Sequence, residues 1–136
     1  MGRLYLEVVT PQGVLVSQEV DSVVAPGTEG EFGVLPDHVL FLSGIVPGEL
    51  RYMSGSVKGS MVVTTGFAEV SNDKVSVLVD AAEKTSEIDK ERAQQAMERA
   101  RRRLAKERES EDVDFARAQL ALERAIARVR AVDKTA

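Results

Sequence analysis

Read from end to end, the chain predicts an α+β architecture: an N-terminal antiparallel β-sandwich or barrel followed by a C-terminal antiparallel α-helical hairpin. All 10 glycines lie between Gly2 and Gly66 and all 4 prolines between Pro11 and Pro47, so the last 52 of the 136 residues hold no helix breaker. Seventeen of the 20 valines precede residue 84. Apolar residues alternate before that point and recur at intervals of three and four after it. The two parts also differ in charge: residues 1–84 carry 5 Lys/Arg and 11 Asp/Glu, net minus 6, and residues 85–136 carry 13 and 11, net plus 2. The formal total of minus 4 conceals two modules, 1–84 and 85–136.

In the first module, runs rich in Val, Ile, Tyr and Phe at 4–9, 22–25, 49–53, 61–65 and 74–79 read as strands. Turn chemistry separates them: Pro11-Gln12-Gly13, Pro26-Gly27, Leu35-Pro36-Asp37, Pro47-Gly48, Ser54-Gly55-Ser56 and Asn72-Asp73. Val75, Val77 and Val79 alternate with Ser76 and Leu78, the pattern of a strand with both faces at least partly covered. Gly27-Thr28-Glu29-Gly30-Glu31-Phe32-Gly33 superficially suggests a phosphate loop. Its spacing is wrong, two carboxylates sit inside it and no helix follows, so it reads as glycine-enabled turns between strands. Residues 29–38 concentrate glycines, Pro36 and acidic side chains, and are expected to form an exposed partner surface.

The second module opens at Ser86-Glu87-Ile88-Asp89, where Ser86 is expected to cap a helix while Asp89 reaches back. That helix runs to about Glu109. Asp112 is then expected to cap a second helix ending near Val132. Ala93, Met97, Ala100 and Leu104 on the first helix, and Phe115, Ala118, Leu122, Ala125, Val129 and Val132 on the second, form two seams of a hairpin. An alanine seam favours helix while burying little area, well short of the roughly 1.5–3 kcal/mol of a buried Leu, Val or Phe. Stable helices with weak tertiary attachment are what a two-state switch requires.

Enzyme motifs come out empty. With no cysteine and one histidine, His38, the chain excludes disulfide frameworks and thiolate zinc sites, and a reducing compartment suffices. It shows no P-loop, no nucleophile elbow and no His-Glu-x-x-His. No run approaches the roughly 20 apolar residues of a membrane span, and no secretory signal is evident, so the chain is expected to stay where it is made.

Arginine chemistry is more informative. Arg99, Arg101, Arg102 and Arg103 form a basic run, but helical rotation scatters them among glutamates, and no nucleic-acid partner is expected. Arg92 and Arg99 lie two turns apart on one helix face, and Arg124 and Arg128 one turn apart on another. A hairpin turning near residue 111 sets Arg99 across from Arg124 and Arg92 across from Arg128. Four guanidinium forks on one side suit phosphate oxygens; the alternative is a solvated face of Arg–Glu pairs.

Several stretches carry a resemblance. Gly30-Glu31-Phe32-Gly33-Val34-Leu35-Pro36-Asp37-His38, Pro47-Gly48, Gly66-Phe67-Ala68-Glu69-Val70, Asn72-Asp73-Lys74-Val75 and Ile88-Asp89-Lys90-Glu91-Arg92-Ala93 resemble the epsilon subunit of bacterial F-type ATP synthases, in order and over nearly the whole chain. Three positions depart from that pattern: Asp37 stands where the family commonly has Gly, Leu40 where it has Pro, and Thr65 where it often has a second Gly.

The resemblance implies a non-catalytic subunit of the central rotor stalk. Its sandwich would grip the gamma subunit and the c ring at the cytoplasmic face of the bacterial inner membrane, attached to the membrane only through the complex. Its hairpin would alternate between a compact state and an extended state that reaches the alpha/beta catalytic head and blocks ATP hydrolysis. In some members ATP, a regulatory ligand and not a required cofactor, holds the compact state. The residues carried over for that site are Glu83, Asp89, Arg92, Arg99, Arg124 and Arg128. Asp89 could support the helix cap, orient Arg92 or accept from the nucleotide. The competing reading is a free-standing nucleotide-sensing module that uses the same arginines without a large partner.

Overall fold

The computed structural model describes residues 3–107 and 113–135. Ten strands come first: β1 (Leu4–Thr10), β2 (Gly13–Val20), β3 (Ser22–Gly27), β4 (Gly30–Val34), β5 (Phe41–Ile45), β6 (Gly48–Ser54), β7 (Val57–Val63), β8 (Gly66–Ser71), β9 (Lys74–Val79) and β10 (Ala82–Lys84). A 3₁₀ turn (Thr85–Glu87) leads into α1 (Lys90–Glu107), and α2 (Val113–Thr135) completes the hairpin. Hydrogen bonding runs in the order β10-β7-β6-β3-β5-β8-β9-β1-β2, with β4 paired to β3.

Period-2 patterning places the core. Leu4, Leu6 and Val8 on β1, Val23 and Ala25 on β3, Met61 and Val63 on β7, and Val75, Val77 and Val79 on β9 all point into one buried cluster. On β9 the other face is more open than the alternation suggests, since Leu78 is 54% exposed. One pairing departs from the antiparallel expectation. β1 lies parallel to β9, from Tyr5 opposite Lys74 to Val9 opposite Leu78. The intervening strands act as the long crossover that a parallel pair needs.

Turn chemistry is realised locally. Gly27 and Gly30 face each other across Thr28-Glu29, while Gly33 continues inside β4. Two of the unusual positions have a physical account. A Cβ on Gly66 would lie 2.0 Å from the Leu78 carbonyl oxygen, so glycine is needed there, whereas the neighbouring Thr65 hydroxyl donates to Asp80 at 3.1 Å. Asp37 has φ 66°, a left-handed value that explains a glycine preference and that Asp tolerates.

The helical seams form with one addition. Ala93 and Ala100 on α1 and Ala118, Ala125 and Val129 on α2 are buried, and so are Ala127 and Ala131, which lie on a different side of α2. This second stripe exists because α2 packs on two neighbours, α1 on one side and β6, β7 and the 3₁₀ turn on the other. Val62, Ile88, Ala93, Ala127, Val129 and Ala131 make a second apolar cluster, separate from the sandwich core.

The first cap differs from the sequence expectation. Ser86 lies inside the 3₁₀ turn, and Asp89 is the N-cap of α1: its Oδ1 accepts from the Arg92 N–H at 3.1 Å and its carbonyl from the Ala93 N–H at 2.9 Å. Burial of Ile88 in the hairpin cluster delays the helix start, because the 3₁₀ turn ends where that side chain must face inward. Asp112 and the hairpin turn near residue 111 lie outside the described residues.

Two substitutions separate the clusters. Leu50→Ala, in the sandwich core, is expected to cost about 2–5 kcal/mol of global stability in urea unfolding. Val62→Ala should lower that stability far less while speeding amide exchange in α1 and α2. A chain ending at Lys84 should still unfold cooperatively; equal effects of both substitutions, or a non-cooperative truncated chain, would make hairpin and sandwich one folding unit.

Candidate functional site

A pocket of about 380 Å³ opens where the sandwich edge, α1 and α2 meet. Glu83 enters it from β10, the short strand paired to β7, and Asp89 stands at the N-terminus of α1. Arg92, Gln95, Ala96 and Arg99 follow along one face of α1, and Arg128 reaches in from α2. Glu87, on the 3₁₀ turn, adds a second carboxylate.

Five of the six carried-over residues therefore share one cavity: Glu83, Asp89, Arg92, Arg99 and Arg128. Arg124 does not line it. Its side chain is half-buried one helical turn before Arg128, and its Nε is buried without a hydrogen-bond partner among the described residues. Glu87, Gln95 and Ala96 were not singled out from the sequence. The signal for Gln95 and Ala96 was present, because positions three and four after Arg92 and before Arg99 must share their face.

Electrostatics divide the pocket into used and unused groups. Arg128 Nη2 donates to Glu83 Oε1 at 3.2 Å, and Arg128 Nε sits 3.2 Å from Glu83 Oε2 as an ion-pair contact without hydrogen-bond alignment. This pair joins the sandwich edge to α2. With its side chains 30% and 37% exposed, it contributes on the order of 0–1 kcal/mol. Asp89 has its Oδ1 engaged in the cap of α1, one of the roles left open for it. Arg92 and Arg99 are exposed on the wall of the cavity. At the far end of the helices Lys90 Nζ lies 3.1 Å from Asp133 Oδ1, tying the start of α1 to the end of α2.

A larger concavity of about 570 Å³ lies between α2 and the outer faces of β3 and β6. Its basic group on the sandwich is already engaged: Arg51 bonds Glu31 at 3.0 and 3.3 Å and Glu49 at 3.2 Å. The bond to Glu31 raises the Arg51 pKa above its ordinary value against the opposing effect of desolvation, with Glu49 adding to the rise. Arg130, exposed on α2, is the other basic group lining it.

Comparison with known proteins now bears on the whole chain. Residues 3–85 match the beta-sandwich domain of the ATP synthase delta/epsilon chain, and residues 86–133 match its long alpha-helix domain. The chain belongs to the ATP synthase delta/epsilon family. It is 51% identical over 127 residues to the ATP synthase epsilon chain of Nitratidesulfovibrio vulgaris, covering 93% of this chain and 95% of that one. With the epsilon chain of Syntrophobacter fumaroxidans it shares 50% identity over 133 residues, 98% of each. Among solved structures, a chain of the Euglena gracilis mitochondrial ATP synthase, in an assembly of OSCP, F1 and c ring, superposes with a TM-score of 0.82 at 25% identity, over 93% of this chain and 79% of that one. A chain from the central stalk and c ring of the Tetrahymena thermophila enzyme shares the fold, with a TM-score of 0.60 at 16% identity.

Family membership directs attention to the sandwich surface as well. Leu35, Val39, Leu40 and Leu42 are 63–76% exposed around the β4–β5 loop. The acidic and glycine-rich 29–38 stretch thus runs, through Leu35, into an apolar lip that extends past it to Val39, Leu40 and Leu42. Removal of the Asp89 cap gives a direct check on the site's framework: Asp89→Ala should cost about 0.5–2 kcal/mol of α1 stability. Asp89→Asn should recover most of it, as read by amide exchange in the first turn of α1.

Proposed function

We propose that this chain, a non-catalytic central-stalk subunit of an F-type ATP synthase, transmits rotation between gamma and the c ring through its sandwich. In this reading its hairpin restrains ATP hydrolysis when it leaves the sandwich for the alpha/beta head. Residues 1–84 are the stalk-binding unit and 85–136 the regulatory one. The apolar lip around residues 35–42 meets the polar loops of the c ring. No helix among the described residues is long and apolar enough to cross a membrane. In this reading the chain reaches the membrane through the complex, at the cytoplasmic face of a bacterial inner membrane.

ATP is the ligand we propose for the pocket. The observation that carries this reading is the seat of the cavity: Glu83 on β10, Arg92 and Arg99 on α1 and Arg128 on α2 belong to three elements that an extended hairpin would separate. A polyphosphate bridging them favours the compact state. Arg92 and Arg99 offer guanidinium forks to phosphate oxygens, and Arg128 exchanges part of its pairing with Glu83 for the ligand. Binding shifts the hairpin equilibrium by the ligand's preference for the compact form, about 2.7 kcal/mol when free ATP is 100 times its dissociation constant. Because the docking interface is small, a shift of that size governs which state prevails.

Titration calorimetry on the full chain tests the site. Arg92→Ala and Arg99→Ala should each weaken ATP binding about tenfold, the scale of a lost charge-assisted fork. Arg101→Ala should change little, since Arg101 pairs with Glu98 on the solvent side. No heat at millimolar ATP, or equal losses at Arg101 and Arg92, would reduce the arginine face to solvated ion pairs. Regulation is tested separately in membranes carrying a chain that ends at Lys84. ATP synthesis should persist and ATP hydrolysis should rise, and unchanged hydrolysis would remove the inhibitory role while leaving the coupling role.

A further inference from the structure

Among the described residues, three non-glycine positions have left-handed backbones, Asp37 (φ 66°), Asn72 (φ 52°) and Asp73 (φ 59°), and hydrogen bonding gathers them at one end of the sandwich. Asn72 and Asp73 form the two-residue turn of the β8–β9 hairpin, where both central residues take positive φ. Asp73 does more than turn the chain. Its carbonyl accepts the Tyr5 N–H at 2.8 Å, holding the start of β1, and its Oδ1 accepts the Asp37 N–H at 2.6 Å. One residue thereby ties the β8–β9 turn, the first strand and the β4–β5 loop together.

The loop has little else to hold its backbone. Between Val34 and Ile45 no residue is buried, so packing contributes far less there than in the neighbouring strands. Further restraints come from His38, whose Nδ1 lies 2.8 Å from the Val39 carbonyl oxygen and whose ring is edge-on to Phe41 at 5.9 Å, and from Phe41 against Phe32 at 5.0 Å. Leu35, Val39 and Leu40, the exposed lip, sit on either side of the tethered Asp37. Side chains with no packing of their own are aimed by their backbone, and at Asp37 that backbone is left-handed and bonded to a carboxylate.

We infer that Asp73 is a positioning residue for the stalk's contact with the rotor ring: its carboxylate clamps the Asp37 amide and so presents Leu35, Val39 and Leu40 in one arrangement. The inference rests on the reading that this lip meets the c ring. It assigns the tether to the side-chain oxygen of Asp73 and the turn to its backbone, two roles that substitution can separate.

Asp73→Gly removes the acceptor while keeping a residue that favours positive φ beside Asn72, so the hairpin turn survives. Asp73→Asn keeps both the acceptor oxygen and the left-handed tendency. Residue-resolved amide exchange on the full chain should show the Asp37 amide about tenfold faster in Asp73→Gly, with β8, β9 and Tyr5 as protected as in the parent, and near-parental exchange in Asp73→Asn. In membranes carrying the assembled synthase, Asp73→Gly should lower proton pumping per ATP hydrolysed, and Asp73→Asn should restore it. Unchanged Asp37 exchange in Asp73→Gly, or an Asp73→Asn as fast as Asp73→Gly, would overturn the clamp. Faster exchange with parental pumping would overturn the lip's role at the ring.

Discussion

The end of β7, Met61–Val63, is buried on both faces, and the two faces are unequal. Met61 and Val63 point into the sandwich among leucines, valines and an isoleucine, while Val62 points the other way, into a smaller cluster in which three of the six buried residues are alanines. Apolar burial stabilises at roughly 25 cal/mol per Å², and an alanine methyl offers little area to bury. The sandwich is therefore a core that holds itself together. The hairpin rests on it through a few apolar side chains and one partly buried ion pair, Arg128–Glu83, while Lys90–Asp133 ties α1 to α2 within the hairpin.

In the proposed reading, that imbalance is what a ligand in the pocket would act on. A ligand can move an equilibrium only by its differential affinity for the two states, so a regulatory site is effective where the intrinsic gap is small and where binding groups come from elements that part company. Glu83, Arg92, Arg99 and Arg128 meet this condition because β10 belongs to the sandwich and the arginines to the hairpin. Asp89 serves the site indirectly. By capping α1 it fixes the helix start and hence the angular positions of Arg92 and Arg99 on the cavity wall.

At the opposite extreme of rigidity, the β4–β5 loop presents apolar side chains to solvent without burying any. Surfaces of this kind are tolerable in a subunit whose working state is an assembly, since the patch is covered by a partner. Its aim is set by polar and aromatic restraints, Asp37 on Asp73 and Phe41 between His38 and Phe32, and not by the core.

The sequence by itself determined the two-part plan, the turns at glycine and proline, the strand runs at β1, β3, β6, β7 and β9, and the α1 face carrying Arg92 and Arg99. Each follows from periodicity or backbone chemistry within a short segment. Strands β2, β4, β5, β8 and β10 were not legible: polar or glycine-bearing stretches such as residues 17–19 and 30–33 become strands because a partner strand supplies their hydrogen bonds. Tertiary structure alone also decided the parallel β1–β9 pairing, the burial of Ala127 and Ala131, and the transfer of the cap from Ser86 to Asp89. It likewise excluded Arg124 from the pocket wall and joined Asp73 to Asp37 across 36 positions of sequence. Local rules constrain where a side chain points along its own element, whereas these outcomes depend on which other element lies opposite, a matter of long-range packing that no window of sequence contains.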